Sequence, residues 1–264
     1  MDLKLNDTLA VITGSTKGIG FAVARLLAEE GARVIINGRS ADDLDAALEK
    51  LPASARGVTG DLSTAEGVAS FVDGVRMEGE PDILVNNVGV FEVKDFFEIP
   101  DEDWERFFQL NVMSGVRLSR EFMPSMLERG WGRIVFVSSE SGLNIPEEMI
   151  HYGMTKTAML AVSRGLAQLT TGSEVTVNSV LPGPTWSEGV SSFVAEMAEQ
   201  EGVDVETFRE EVFFDEARPT SILKRFTRPE EIAAMVAYVC SPLASATNGG
   251  ALRADGGTVR SILP

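Results

Sequence analysis

The 264-residue sequence predicts an α/β fold built on a doubly wound parallel sheet of about seven strands. Three observations predict it. Short β-branched runs alternate with amphipathic stretches along most of the chain. The glycine and polar motifs fall just after those runs or on the helices that follow them. No repeat, low-complexity tract or linker breaks the alternation. Strand-helix-strand units need crossovers that lay helices over both faces of a parallel sheet. A chain of this length fits one large domain of that class, so residues 1–264 are expected to form a single domain.

Residues 8–13 read as the first buried strand. Ile19, Val23, Leu26 and Leu27 then fall on one helical face before Gly31, a C-terminal stop. Residues 33–37 form the second strand, and Leu44, Leu48 and Leu51 repeat the helical pattern ahead of Pro52. A weaker strand lies near Gly57, and the fourth covers 82–86. Trp104, Phe108, Val112 and Phe122 mark one long helix running to about Arg129. Residues 133–138 form the fifth strand, 152–171 the next helix and 174–180 the sixth strand. The longest uncharged segment, 232–252, is broken by Pro242, Asn248, Gly249 and Gly250, so it reads as helix, loop and strand start rather than a membrane span.

Apolar residues make up 44% and charged residues 24%, a globular composition with ample material for a core. The single cysteine, Cys240, rules out an intramolecular disulfide framework and a Cys-rich zinc site, and no metal is expected. A net charge of −17 repels phosphate backbones and anionic membrane surfaces, so neither is an expected partner. No basic region followed by an apolar run opens the sequence, and a cytoplasmic location is expected.

Such sheets bind ligands beyond the carboxyl ends of their strands. There the first strand runs into Gly14, Ser15, Thr16, Lys17, Gly18, Ile19 and Gly20, and then directly into a helix. Glycines permit a tight turn and close backbone approach, while the helix N-terminus offers free N–H groups to a pyrophosphate. An NAD site would place a carboxylate at the end of the second strand, yet the sequence reads Gly38, Arg39, Ser40. Arg39 and Lys17 can neutralise a 2′-phosphate with Ser40 adding a hydrogen bond, which favours NADP(H) over NAD(H); solvated cations are the alternative. Asp61, with Leu62 beside it, either binds the adenine amino group or caps the next helix. Asn87, Val88 and Gly89 close the fourth strand, where they can lie beside the adenosine ribose or simply turn the chain.

At the other end, Ser138 and Ser139 close the fifth strand, and Tyr152 and Lys156 share a helix face at i, i+4. A phenol ordinarily titrates near 10. A cation about 4 Å away at an effective dielectric near 20 contributes roughly 4 kcal/mol, against about 1.4 kcal/mol per pKa unit. Lys156, helped by a cationic nicotinamide ring, can thus bring Tyr152 toward a working range.

The glycine turn, the Asn86–Gly89 stretch, Asn111, Ser139, the Tyr152–Lys156 pair and the run Pro182, Gly183, Pro184, Thr185 resemble, in order and spacing, the short-chain dehydrogenase/reductase family. The resemblance spans roughly residues 8–257 and implies a Rossmann fold and hydride transfer between a nicotinamide cofactor and a carbonyl or alcohol. It further implies that Tyr152 exchanges a proton with the substrate oxygen and that Lys156 holds the nicotinamide ribose. Ser139 would polarise the carbonyl, Asn111 would help fix a relay water, and Thr185 would bind the carboxamide, with Pro182 and Gly183 shaping the turn. Val88 stands where the family commonly has Ala, and Asn248, Gly249 and Gly250 replace its usual Thr-Gly-Gln. Non-catalytic cofactor sensors typically lack the Tyr–Lys pair, which is present here. A homotetramer or homodimer is implied, built through the helices near 103–129 and 152–171, with Ala158, Ala161 and Ala167 permitting close approach.

In the family, residues 186–220 correspond to a substrate lid; here that segment holds ten acidic and two basic residues. Trp186, Phe193, Phe208, Phe213 and Phe214 can give it an apolar inner face. Phe91, Phe96 and Phe97 form either another apolar wall or core. His151 is expected to be a neutral rim residue without a catalytic role. Two substrate readings stand. A free ketone or alcohol suits the net charge, whereas 3-oxoacyl reduction on a carrier protein needs a basic docking patch, for which Arg117, Arg120, Arg129 and Arg133 are the candidates.

Overall fold

A computed structural model describes residues 2–262. Seven parallel strands form one sheet in the order β3-β2-β1-β4-β5-β6-β7. They are β1 (Leu9–Ile12), β2 (Arg33–Gly38), β3 (Arg56–Thr59), β4 (Ile83–Asn86), β5 (Trp131–Val137), β6 (Glu174–Pro182) and β7 (Ala251–Ala254). The count and the doubly wound class agree with the sequence reading, and the order reverses between β1 and β4, where a crevice opens at the strand ends.

Side-chain alternation sorts the core into two layers. Ala10, Ile12, Ile83 and Val85 face α1 (Gly18–Glu29) and α9 (Pro229–Cys240), where Val23, Leu27, Ile232 and Val236 bury their faces. Leu9, Val11 and Leu84 face the opposite layer, made by α3 (Ala65–Glu78), α5 (Ser114–Arg129) and α6 (Ile150–Gln168) through Phe71, Val75, Leu118, Phe122 and Met159. With both faces covered, β1 and β4 are buried along their length, and apolar but for Asn86 at the end of β4. Helix α2 (Ala41–Leu48) completes the first layer, with Ser40 accepting from Asp43 N at its start.

The single long helix expected to Arg129 is interrupted. Helix α4 (Asp101–Phe108) passes into a π-helical turn, Gln109–Met113, before α5 begins. Helix α3 is capped by Thr64 rather than by Asp61. Asn248, at the departure from the family pattern, stitches β6 to the end of α6: its Oδ1 accepts from Val177 N and its Nδ2 donates to Thr170 Oγ1. Between β6 and α9, α7 (Glu188–Glu201) supplies Val194 and Ala198 to a third core that Phe208, Phe213, Phe214 and Phe226 complete from the chain following α8 (Val205–Thr207). Of the residues expected on an apolar inner face, Phe208, Phe213 and Phe214 are buried in this core, and Trp186 and Phe193 pack against it. Among the described residues no helix is long and apolar enough to cross a membrane.

Candidate active site

A cavity of about 1110 Å³ runs along the carboxyl ends of the strands from the glycine turn to the start of α6. At the outer end, Gly14 adopts φ +58°, and a Cβ there would meet Val88 Cα at 2.9 Å. Thr13 Oγ1 accepts from the backbone N–H groups of Asn87 and Val88, and Asn87 Nδ2 donates to the carbonyls of Thr13 and Gly14. These bonds lock the loop after β4 against the turn after β1. Helix α1 begins with no side-chain cap and no acid in its first turn, and its opening residues Gly18, Ile19 and Gly20 line the cavity. Uncapped first-turn amides against a cavity are a donor set suited to a pyrophosphate, so the site fits a dinucleotide.

Lys17, Arg39, Ser40, Asp61, Leu62, Asn87, Val88 and Gly89 all line the cavity, as expected from sequence. Ser15 does not. It is fully buried, donates to Ile12 O at 2.6 Å and accepts from Asn37 N at 3.0 Å, and Thr16 takes its place on the wall. The Asp61 carboxylate accepts from Ser63 N and Ser63 Oγ, bonds that hold it below its usual range. Lys17 Nζ lies 3.8 Å from Glu188, on the first turn of α7.

At the inner end the carboxyl terminus of β5 meets the start of α6. Ser138 Oγ donates to Lys156 O and Lys156 Nζ to Val137 O at 3.1 Å, which ties the helix to the strand. Ser139 Oγ accepts from Ser141 N, starting a 3-10 turn over Glu140–Gly142, and its side chain draws the neighbouring Tyr152 phenol toward a lower pKa. Lys156 Nζ lies 5.6 Å from the centre of the Tyr152 ring. A Cβ at Gly89 would lie 3.5 Å from that amine and 3.2 Å from Asn111 Oδ1. Asn111 stands behind the wall in the π-helical turn. Its Oδ1 accepts from Val90 N, and its Nδ2 donates to Val90 O and Thr155 Oγ1. Pro182, Gly183 and Thr185 line the side beyond β6, where the Thr185 hydroxyl pairs with that of Thr227.

Burial pushes the Tyr152 phenol up to about 12; the Ser139 hydrogen bond draws it down, the Glu140 charge pushes it up and the Arg218 charge lowers it. Burial pushes Lys156 down to about 8. Burial is thus the leading cause of both shifts, and it works against the acidification of the phenol expected from sequence.

Phe91 forms an apolar wall, edge-on to Tyr152 at 6.4 Å and to Phe193 at 6.1 Å. Phe97 is 92% exposed and Phe96 about half exposed, so neither joins it nor the core. His151 is not on a rim: it is fully buried, packed on Phe107 and Trp104, and burial lowers its pKa. Three of the four arginines of the candidate patch are engaged within the fold, while Arg120 is exposed. Arg133 is buried and donates to the carbonyls of Gly132, Glu174 and Ser241, Arg129 bonds Pro81 O and Asp82, and Arg117 bonds Gln109. Sequence reasoning missed Glu140 and Arg218, a buried ion pair at 3.3 Å on the cavity wall, since nothing in local spacing links positions so far apart.

The sequence matches the model of the family described as short chain dehydrogenase over residues 8–198. It is 47% identical over 264 residues to the uncharacterized oxidoreductase YvrD of Bacillus subtilis, covering 99% of this chain and all of the relative. It is 31% identical to a D-beta-hydroxybutyrate dehydrogenase of Cupriavidus necator, over 97% of this chain and 99% of that one. Among solved structures, L-sorbose reductase from Gluconobacter frateurii, complexed with NADPH and L-sorbose, superposes with a TM-score of 0.92 at 33% identity, over 99% of this chain and all of the other.

Proposed function

The chain belongs to the short-chain dehydrogenase family and is an oxidoreductase, and on that premise we propose that it interconverts a small, free carbonyl compound and its alcohol at the expense of NADP(H). One observation carries the reading: Ser139, Tyr152 and Lys156 converge at the inner end of a cavity whose outer end is an uncapped helix N-terminus. The nicotinamide, when bound, supplies or accepts the hydride.

The chain's own residues do the rest. Tyr152, protonated through the neutral range, gives its phenolic proton to the substrate oxygen as charge builds there. Ser139 holds the same oxygen. Its Oγ accepts from Ser141 N, and its hydroxyl hydrogen turns to the substrate oxygen. Lys156, steadied by Val137 O, holds the nicotinamide ribose and passes protons toward Tyr152. Asn111 keeps Val90 and Thr155 in place, and its remaining acceptor anchors the relay water. Gly14, Gly18, Ile19 and Gly20 receive the pyrophosphate, Asp61, Leu62, Asn87, Val88 and Gly89 flank the adenosine half, and Pro182, Gly183 and Thr185 flank the nicotinamide half.

The preference for NADP(H) is supported by Arg39 and Lys17 at the cavity mouth and by the lack of a carboxylate at the end of β2. Residues 186–220 act as the substrate lid. A free substrate is favoured over a carrier-bound 3-oxoacyl group because Arg133 and Arg129 are occupied within the fold. A cytoplasmic homotetramer or homodimer, joined through α4–α5 and α6, completes the reading. NADPH oxidation is measured with a panel of free ketones and with an acetoacetyl thioester on carrier protein. Turnover of free ketones alone is expected, and turnover of the carrier-bound thioester alone contradicts it.

A further inference from the structure

Glu140 follows Ser139 directly, and its side chain is only 4% exposed. A carboxylate that deep is costly unless a cation meets it. Its partner lies 78 positions further along the chain, at the end of the lid: Arg218 Nε donates to Glu140 Oε1 at 3.3 Å. The same guanidinium, 11% exposed, turns Nη1 to Glu148 Oε1 at 3.1 Å and to Ala217 O at 2.7 Å. Glu148 belongs to the 3-10 turn Glu147–Met149 that runs straight into α6, and its carbonyl accepts from Lys94 N at 3.0 Å. One planar fork therefore grips both the turn that carries Ser139 and the entrance to the helix that carries Tyr152.

We infer that Arg218 is a positioning residue, which aligns Ser139 Oγ with the Tyr152 hydroxyl by holding the two backbone segments that carry them, and so joins that alignment to the seating of the lid. The inference rests on the reading of Ser139 and Tyr152 as the reacting pair. Arg218 acts through Glu140 and Glu148, not on the substrate. Glu140 Oε2 has no hydrogen-bond partner and Oε1 otherwise accepts only from the Ser141 hydroxyl at 3.1 Å, so losing the fork leaves a buried charge with no cation beside it. The turn must then open to hydrate it, and Ser139, whose Oγ caps that turn, moves with it. Misplacement of about an ångström at a reacting centre costs on the order of 100-fold in rate. Binding of the dinucleotide phosphates, at the far end of the cavity, does not depend on the fork.

The full-length chain and its Arg218→Gln, Arg218→Lys and Arg218→Gln/Glu140→Gln variants are compared by hydrogen exchange, by NADPH fluorescence titration and by steady-state kinetics on the best ketone. Arg218→Gln is expected to lower kcat by about 10- to 100-fold with its NADPH affinity within about twofold of the parent, and to speed exchange over 139–149 while β1 and β4 stay protected. Arg218→Lys should fall between, and removing the stranded charge in the double variant should restore part of kcat. Unchanged exchange over 139–149 in Arg218→Gln overturns the inference. So does a kcat within about twofold of the parent, or a loosening spread evenly over the whole sheet. If the parent chain reduces no ketone at all, the proposed function fails, and exchange over 139–149 alone decides the clamp.

Discussion

Lys156 and Tyr152 are displaced in opposite directions by one cause, the removal of water from both. Between about 8 and its ordinary 10.5 the unfolded chain binds a proton at Lys156 that the folded chain does not, so stability rises with pH across that window. Below 8 the whole penalty is present. Replacing Lys156 with Met should therefore abolish turnover yet stabilise the fold at pH 7 by on the order of 2 kcal/mol, with the gain fading as pH approaches 10. Urea denaturation at pH 7 and 9.5 checks this, and a gain that does not vary with pH contradicts it. The phenol behaves conversely: held at about 12, it keeps its proton throughout the neutral range. Carbonyl reduction should stay level from pH 6 to 8 while alcohol oxidation climbs over the same range, and a reductive rate falling steeply above pH 6 would contradict the assignment of Tyr152 as the acid. The Tyr152–Lys156 pair proposed to react was legible as a phenol and an amine one helical turn apart. Ser15 was not. A motif states which positions matter, and only the packed backbone decided that its hydroxyl turns inward to Ile12 O while Thr16 meets the cavity.

The alternation of elements was readable because strands buried on both faces are continuous apolar runs and their helices carry one apolar stripe each. Helix α3 entered the sequence reading only as the helix that Asp61 could cap, since Gly67 and Gly74 weaken a pattern that Val68, Phe71, Val72 and Val75 nevertheless complete. The π-helical turn at Gln109–Met113 was hidden too, because it is sustained by long-range bonds from Asn111 to Val90 and Thr155. Asn111→Ala leaves Val90 N and Val90 O without that partner and should cost about 2–3 kcal/mol, read by calorimetry as a fall of several degrees in Tm; an unchanged Tm would contradict it. Arg133 looked like a surface cation, but β5 is an inner strand, so its guanidinium had to find carbonyls inside. Arg133→Leu is expected to lower Tm and leave kcat on free ketones within about twofold, whereas an altered preference for carrier-bound substrate would revive the docking patch.

Across the whole molecule, one cavity joins the end proposed to take the phosphates, shaped by local glycine geometry, to the end proposed to react, assembled by distant contacts. The first could be read from adjacent residues. Along the wall proposed to face the substrate, Phe91 and Phe193 were candidates from sequence, but their edge-on contact and the Glu140–Arg218 pair were not, because only the closed tertiary structure brings these separate segments together. With a net charge of −17, affinity for an anionic cofactor depends on few cations. Arg39→Ala should weaken NADPH binding by about tenfold and leave NADH unaffected; equal losses for both cofactors would remove the 2′-phosphate from the account. The most direct test of the whole reading is the rate of NADPH oxidation by Tyr152→Phe on whichever free ketone the parent chain reduces best. A loss of at least about 100-fold with NADPH still bound is predicted, and turnover at the parent's rate would contradict it.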